Sequence, residues 1–131
     1  MEVSLLVITH GSLAQELVSV AQMMLERPLN VQAVCLALKG SNAKYAGQVN
    51  QAIKAIPEGN RVIALTDIFG GTPSNLLLPF LQKDRLEVIT GVNLGLLIHL
   101  LSSKLEGSLS DICNSAKQAG QEAILVAGDF L

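Results

Sequence analysis

The 131-residue sequence predicts an α/β fold, with a doubly wound, mainly parallel open sheet and helices on both faces. Short runs of apolar and β-branched residues recur along the chain, which is typical of strands buried on both faces. Segments with a helical spacing of apolar residues separate these runs, as in βαβ units. Because 50% of the residues are hydrophobic, one domain over residues 1–131 has enough apolar surface to form a core.

The first predicted unit places a histidine at the edge of the sheet. An almost unbroken apolar run ends at His10, and residues 13–26 follow as an amphipathic helix. Ser12 is the expected N-cap of this helix, and Gln15, three residues later, would complete a capping box. His10 therefore lies at the carboxyl end of the first strand, where open α/β sheets bind their ligands.

The next stretch predicts two strands separated by a helix. Residues 31–38 form the second strand, an apolar run with Gln32 as its only polar member. A turn and cap at residues 40–42 begin a helix whose apolar positions extend to Ile56, before a Pro-Glu-Gly-Asn turn ends it. Residues 61–66 are the third strand.

A second polar turn, residues 67–75, follows this strand. Within it, Thr72 is the expected N-cap of the third helix and Pro73 its first residue, because proline lacks the N–H that would be unpaired there. Pro79 should bend or shorten this helix, since an interior proline removes a backbone hydrogen bond.

The last third of the sequence predicts two strands and two helices. Residues 86–90 are the fourth strand, and residues 94–103 form a strongly apolar helix. A fifth helix covers residues 109–119 and stops at Gly120. Residues 123–127 are predicted to form a final strand.

The predicted strand order brings the two polar turns together. In the flavodoxin-like order 2-1-3-4, the first and third strands are neighbours, so the turns that carry His10 and Asp67 meet at one edge of the sheet. A carboxylate that accepts a hydrogen bond from one imidazole nitrogen fixes the ring tautomer and leaves the other nitrogen as a nucleophile. His10 and Asp67 are therefore the predicted catalytic residues.

The turn after Asp67 is a predicted phosphoryl-binding site. Gly70 and Gly71 allow the backbone to come close to a ligand, and the following helix points free N–H groups at it. The Thr72 hydroxyl adds another polar group. Phosphoryl transfer needs an in-line nucleophile and stabilised equatorial oxygens, which this combination supplies. Considered singly, His10 and Asp67 are also consistent with ordinary turn residues.

Composition and motifs exclude several other functions. The net charge is −2, aromatic residues make up 3% and Trp is absent, so no nucleic-acid partner is predicted. The motifs for binding nucleoside triphosphates or dinucleotides are missing. No metal or cofactor is predicted, because Cys35, Cys113 and the two histidines are widely separated; the cysteines should be free thiols and His99 a structural or surface residue. The first apolar run is too short for a signal peptide, so a cytoplasmic location is expected.

Three stretches of the sequence resemble the IIA component of the mannose-type (mannose/fructose/sorbose) sugar phosphotransferase system. They are residues 7–11, 66–75 and 87–93, and the similarity covers essentially the whole chain. The resemblance implies that His10 accepts a phosphoryl group on Nε2 from phospho-HPr and passes it to a IIB component, which phosphorylates sugar entering through the membrane components IIC and IID. It also implies that Asp67 partners the His10 ring and that Thr72 lies beside the phosphoryl group.

The same resemblance implies a homodimer in which a terminal strand, here residues 123–127, is exchanged between subunits. Two alternatives remain open: the phosphotransfer subunit of a dihydroxyacetone kinase, and a non-catalytic regulatory module of the same fold. The Asp-x-x-Gly-Gly-Thr-Pro turn favours the sugar system over the kinase, and the presence of both His10 and Asp67 speaks against a module that has lost transfer. The sequence does not indicate the sugar, because specificity in such a relay belongs to the partners.

Overall fold

The computed structural model of the protein describes residues 2–131. Within this range, four strands form one parallel sheet: β1 (Val3–His10), β2 (Val31–Leu36), β3 (Arg61–Thr66) and β4 (Leu86–Thr90). Their order is β2-β1-β3-β4, and every neighbouring pair is parallel. The predicted flavodoxin-like order is therefore confirmed.

Five helices in the same range cover both faces of this sheet: α1 (Leu13–Leu25), α2 (Asn42–Lys54), α3 (Thr72–Leu77), α4 (Leu94–Ser102) and α5 (Leu109–Glu122). Single turns of 3-10 helix lie at Leu78–Phe80 and Ala127–Phe130. Helices α1, α4 and α5 pack on one face, and α2 and α3 pack on the other. None of these helices is long and apolar enough to span a bilayer.

Side-chain alternation along β1 builds the core on both faces. Leu5 and Val7 pack with α1, α4 and α5, whereas Leu6 and Ile8 pack with α2 and α3. All four are buried, as is every residue of β3. Burying one such aliphatic side chain contributes about 1.5–3 kcal/mol, so the two central strands are held from both sides and give the carboxyl edge a rigid base.

Strand β2 is two residues shorter than the predicted strand over residues 31–38. The last residue pair between β1 and β2 joins His10 to Leu36, and beyond it β1 has no further residue to pair with. Leu38 consequently lies outside the sheet with 81% of its surface exposed. An apolar sequence alone did not reveal where the neighbouring strand ends.

The predicted capping box at the start of α1 is wrong. The Ser12 side chain makes no cap hydrogen bond, and the Gln15 amide donates to Ser19 Oγ instead. Thr9 Oγ1, fully buried at the end of β1, accepts a 2.7 Å hydrogen bond from the Ala14 N–H. The strand therefore caps the helix, because the tight turn brings the Thr9 hydroxyl under the first free N–H groups.

Helix α3 begins one residue earlier than predicted. Gly71 is the N-cap, Thr72 is the first helical residue and no side chain caps the helix. The expected effect of Pro79 is confirmed, because α3 ends after six residues and passes into the 3-10 turn Leu78–Phe80.

Gly120 does not stop α5, contrary to the prediction, but lies within it. A Cβ atom at Gly120 would lie 3.0 Å from Leu96 Cδ1, so the glycine permits close packing of α5 against α4. Asn93, the N-cap of α4, donates from Nδ2 to the Gly120 carbonyl oxygen at 2.9 Å. This glycine allows two helices to pack closely. A sequence pattern does not distinguish such a glycine from one that ends a helix.

The predicted final strand over residues 123–127 is absent from the described residues. The chain leaves α5 at Ala123, continues without regular structure and enters the 3-10 turn Ala127–Phe130. Ile124, Leu125 and Val126 are 75%, 67% and 67% exposed. The segment has the apolar composition of a strand, but it pairs with no strand of its own chain.

Both cysteines are free thiols, as predicted: Cys35 is half-buried in β2 and Cys113 is buried in α5. Burial, together with the negative charge of Glu87, raises the pKa of the Cys113 thiol to about 12. This thiol therefore stays protonated and acts as a small hydrophobic side chain.

Candidate active site

The side chains of His10 and Asp67 are in direct contact at the carboxyl edge of β1 and β3. The register that pairs Ile8 with Thr66 places the two residues just beyond, on neighbouring strands. His10 Nδ1 lies 2.8 Å from Asp67 Oδ2, and the His10 backbone N–H donates to the same oxygen at 2.9 Å. The structure thus brings together the two residues that strand order predicts to meet.

The hydrogen bonds to Asp67 favour its ionised form. Its second oxygen, Oδ1, accepts a 2.9 Å hydrogen bond from the Ile68 N–H. Partial burial by itself raises the pKa of Asp67, but the hydrogen bonds from the His10 backbone and ring and from Ile68 outweigh it, so the pKa lies below its ordinary value. Asp67 is therefore a carboxylate at neutral pH and can only accept hydrogen bonds.

This pairing determines which nitrogen of His10 keeps a lone pair. Because Asp67 only accepts, Nδ1 carries the proton that it donates, and Nε2 keeps a lone pair. The His10 side chain is 39% exposed, whereas that of Asp67 is 14% exposed. The site therefore shields the carboxylate more than the ring, which is accessible from outside.

Gly71 lies directly against the His10 ring. A Cβ atom built on Gly71 would lie 3.0 Å from His10 Cε1 and 3.0 Å from Ile68 Cγ2. The backbone of Gly71 is in an ordinary extended conformation (φ −75°), so space, and not an unusual dihedral angle, requires glycine here. Gly70, by contrast, has a φ of +82° and no neighbour at its Cβ position, so the turn requires its flexibility.

Two side chains that the sequence analysis left without a role hold the loop after β3. Ser74, which is 1% exposed, has its hydroxyl oxygen 3.2 Å from the carbonyl oxygens of both Ile68 and Gly71. Asn75 Nδ2 donates to the Gly70 carbonyl oxygen at 3.1 Å. Their position immediately after a Gly-Gly-Thr-Pro turn is the one sequence signal that could have indicated this role.

The turn after β1 is fixed to the neighbouring strand. Gly11 adopts the left-handed region (φ +57°), and its N–H donates to the Leu36 carbonyl oxygen at 2.7 Å. Together with the Thr9 cap on α1, this bond holds the backbone on both sides of His10. The histidine is consequently presented from a constrained turn, which limits the entropy lost when a reaction partner binds.

Among the described residues, neither Thr72 nor His99 forms a hydrogen bond with His10 or Asp67. Thr72 is half-buried at the start of α3, and the Gly71 N–H next to it is engaged with the Ile68 carbonyl oxygen at 3.3 Å. His99 lies in α4, where its Nε2 is 3.2 Å from Ser115 Oγ of α5, consistent with a structural or surface role.

Comparison with known proteins identifies the family. The family model described as the fructose IIA component of the phosphotransferase system (PTS) matches residues 4–117. The chain belongs to this IIA family. The IIA chain is 33% identical over 131 residues to the fructose-specific EIIA component of Bacillus subtilis (strain 168), which covers 98% of the chain and 89% of that protein. The IIA chain is therefore a phosphoryl carrier of a sugar phosphotransferase system, and so a phosphotransferase.

Two further relatives define how far the similarity extends. The IIA chain is 28% identical over 127 residues to the mannose-specific EIIAB component of Escherichia coli (strain K12), but those residues span only 39% of that longer protein. The crystal structure of the PTS IIA protein associated with the fucose utilization operon of Streptococcus pneumoniae superimposes with a TM-score of 0.77. It is 26% identical, and the match covers 98% of the IIA chain and 96% of that structure.

Proposed function

We propose that this IIA protein accepts a phosphoryl group on His10 Nε2 from phospho-HPr and transfers it to a IIB component. The observation that carries the proposal is the 2.8 Å contact between His10 Nδ1 and Asp67 Oδ2, which leaves Nε2 with its lone pair outward. A phosphohistidine carrier needs this arrangement, and neither a turn residue nor a core histidine does.

The geometry supports a balanced transfer step. The Nε2 lone pair attacks phosphorus while the bond from phosphorus to the donor nitrogen breaks, and its electron pair returns to a donor ring that leaves as neutral imidazole. The His10 ring becomes positive during this step because Nδ1 keeps its proton. Asp67 stabilises that charge at 2.8 Å. The backbone near Gly70 and Gly71 and the Thr72 hydroxyl are the proposed contacts to the phosphoryl oxygens, and transfer to the IIB component is the reverse step on the same nitrogen.

The first prediction concerns the site of labelling. Phosphoenolpyruvate, enzyme I and HPr should add one acid-labile, base-stable phosphoryl group per chain, and His10→Ala should abolish the label because it removes the Nε2 lone pair that the contact with Asp67 leaves outward. His99→Ala is the matched control, since its partner is Ser115, and it should be labelled like the wild type. A label that persists in His10→Ala would overturn the assignment. Transfer of the label to a IIB protein, and not to a dihydroxyacetone kinase subunit, distinguishes the two relays.

We also propose that the protein is a homodimer in which the terminal segments are exchanged. Strand β4 is the last in the sheet order, and within the described chain its outer edge has no partner strand beyond an isolated antiparallel bridge between Leu86 and Gln82. The apolar residues Ile124, Leu125 and Val126 are equally unpartnered and exposed. Pairing each segment with β4 of a second copy would satisfy the open edge and bury these side chains together.

The second prediction tests this assembly. Sedimentation should show a dimer, and removal of residues 124–131 should convert it to a monomer because the strand that covers β4 is lost. Removal of residues 129–131 alone is the control, since Ile124, Leu125 and Val126 are retained. A protein of residues 1–131 that sediments as a monomer at micromolar concentration would contradict the proposal.

A further inference from the structure

The buried hydroxyl of Ser74 is a surplus hydrogen-bond donor in the loop after β3. Its oxygen lies 3.2 Å from the carbonyl oxygens of both Ile68 and Gly71, and Ser74 is 1% exposed. Each of these carbonyls already accepts from the backbone: the Gly71 N–H donates to Ile68 at 3.3 Å, and the Asn75 N–H donates to Gly71 at 3.0 Å. A hydroxyl carries one hydrogen, so Ser74 adds a second donor to one of the two carbonyls at a time.

The two backbone donors are not held equally firmly. The bond from Asn75 to Gly71 has an ordinary length and forms the first turn of α3. The bond from Gly71 to Ile68 is longer than the usual range of about 2.7–3.2 Å. It closes a turn through Gly70, whose φ of +82° and open surroundings leave the backbone free to rotate. The Gly71 N–H is therefore the donor that is more easily withdrawn.

This weakly held N–H belongs to a residue beside the proposed phosphorylation site. A Cβ atom on Gly71 would lie 3.0 Å from His10 Cε1, the ring carbon bonded to Nε2. Residues 67–75 contain no lysine or arginine, so neutral groups of this loop must donate to the phosphoryl oxygens. A hydrogen bond to a charged acceptor is shorter and stronger than one to a neutral carbonyl. A phosphoryl group on Nε2 would therefore compete with the Ile68 carbonyl for the Gly71 N–H.

We propose that Ser74 is a positioning residue, whose hydroxyl takes over the Ile68 carbonyl when the Gly71 N–H turns to the phosphoryl group. This inference rests on the proposed function, because a phosphoryl group on His10 Nε2 drives the exchange. The Asn75 N–H keeps the Gly71 carbonyl paired throughout, which leaves the Ser74 proton available for Ile68. The loop thus releases one donor to the phosphoryl group without leaving a carbonyl unpaired.

NMR of the loop backbone tests the exchange directly. On phosphorylation of the wild type, the Gly71 amide proton should move downfield because its acceptor becomes charged. The Ile68 carbonyl carbon should change little, since Ser74 replaces the lost donor. In Ser74→Ala the Ile68 carbonyl carbon should instead move upfield, as expected for a carbonyl that loses a hydrogen bond. The protein can be phosphorylated by phospho-HPr or by phosphoramidate, a small reagent that phosphorylates histidine without a partner protein.

The exchange also predicts an effect confined to the phosphorylated state. Ser74→Ala should shift the phosphoryl-exchange equilibrium with HPr about tenfold toward the unphosphorylated IIA protein, because its phosphorylated loop has an unpaired carbonyl. The thermal unfolding midpoint of the unphosphorylated variant should change little, since both carbonyls keep their backbone donors. Ser103→Ala is the matched control, because its hydroxyl also donates to a backbone carbonyl, that of His99, but at the end of α4. It should leave the equilibrium unchanged.

Each failure has a separate signature. A Gly71 amide proton that does not move when His10 is phosphorylated, or a wild-type equilibrium constant in Ser74→Ala, would overturn the role of Ser74 and leave His10 as the phosphorylation site. An equal shift of the equilibrium in Ser103→Ala would overturn it as well. A protein that phosphoramidate labels on His10 and phospho-HPr does not would overturn the proposed relay, and the NMR signals of the phosphoramidate-labelled protein would still decide the exchange.

Discussion

The Asp67→Asn variant should fold normally and slow phosphoryl transfer to His10 by about a hundredfold or more. The amide keeps the size of the side chain, but it has no negative charge to stabilise the ring as it becomes positive. Its NH₂ group can also donate to His10 Nδ1, which would favour the tautomer with the proton on Nε2 and remove the attacking lone pair. Both effects act on the transfer step, and neither removes a core contact.

The measurement for Asp67→Asn is the single-turnover rate from phospho-HPr, with circular dichroism to establish the fold. Asp111→Asn removes the same charge at an exposed position in the first turn of α5 and should transfer at the wild-type rate. Thr72→Ala should have a smaller effect than Asp67→Asn, because backbone N–H groups at the start of α3 would still contact the phosphoryl oxygens. A wild-type rate in the folded Asp67→Asn protein would show that Asp67 is only a turn residue.

The Gly71→Ala variant should lose about tenfold to a hundredfold in transfer rate without losing its fold. The added methyl carbon would lie 3.0 Å from His10 Cε1 and 3.3 Å from the Ile68 carbonyl oxygen, closer than such atoms normally approach. The His10 ring or the loop must move, and either movement disturbs the contact with Asp67. Displacement of about 1 Å at a reacting group is enough for a loss of this size.

Nitrogen NMR of the His10 ring is the second measurement on Gly71→Ala, because a ring moved from Asp67 no longer holds its proton on Nδ1. Gly47→Ala is the control, since a Cβ atom at this α2 position meets nothing within 4 Å. It should be neutral or slightly stabilising, as expected for alanine in a helix. If Gly71→Ala transfers at the wild-type rate with an unchanged ring signal, the glycine has no role in positioning His10.

Periodicity in the sequence was sufficient to predict the order of the four strands and the proximity of His10 to Asp67. Buried strands such as β3 are apolar on both faces, and the connections between parallel strands have one handedness, so few strand orders remain. Once β1 and β3 are neighbours, the residues that follow them must lie at the same edge. These are consequences of local composition and chain geometry, which a single sequence contains.

Contacts between distant residues were decided only by the tertiary structure. The cap on α1 comes from Thr9 and not from Ser12, because the turn brings a buried hydroxyl under the helix end. Gly120 and Gly71 are glycines because Leu96 and His10 occupy the space that a side chain would need. The sequence shows the small residue but not its neighbour, so it could not distinguish a packing contact from a stop signal or a ligand site.

The exposed apolar residues show most clearly which features the sequence determines and which the tertiary structure decides. The apolar composition of residues 123–127 and of Leu38 predicted that they lie in strands. A strand forms only where another strand offers its edge, and within the described chain β1 ends before Leu38 while nothing pairs with residues 123–127. Apolar composition by itself determined that these side chains need burial, and the tertiary structure decided that their own chain does not provide it.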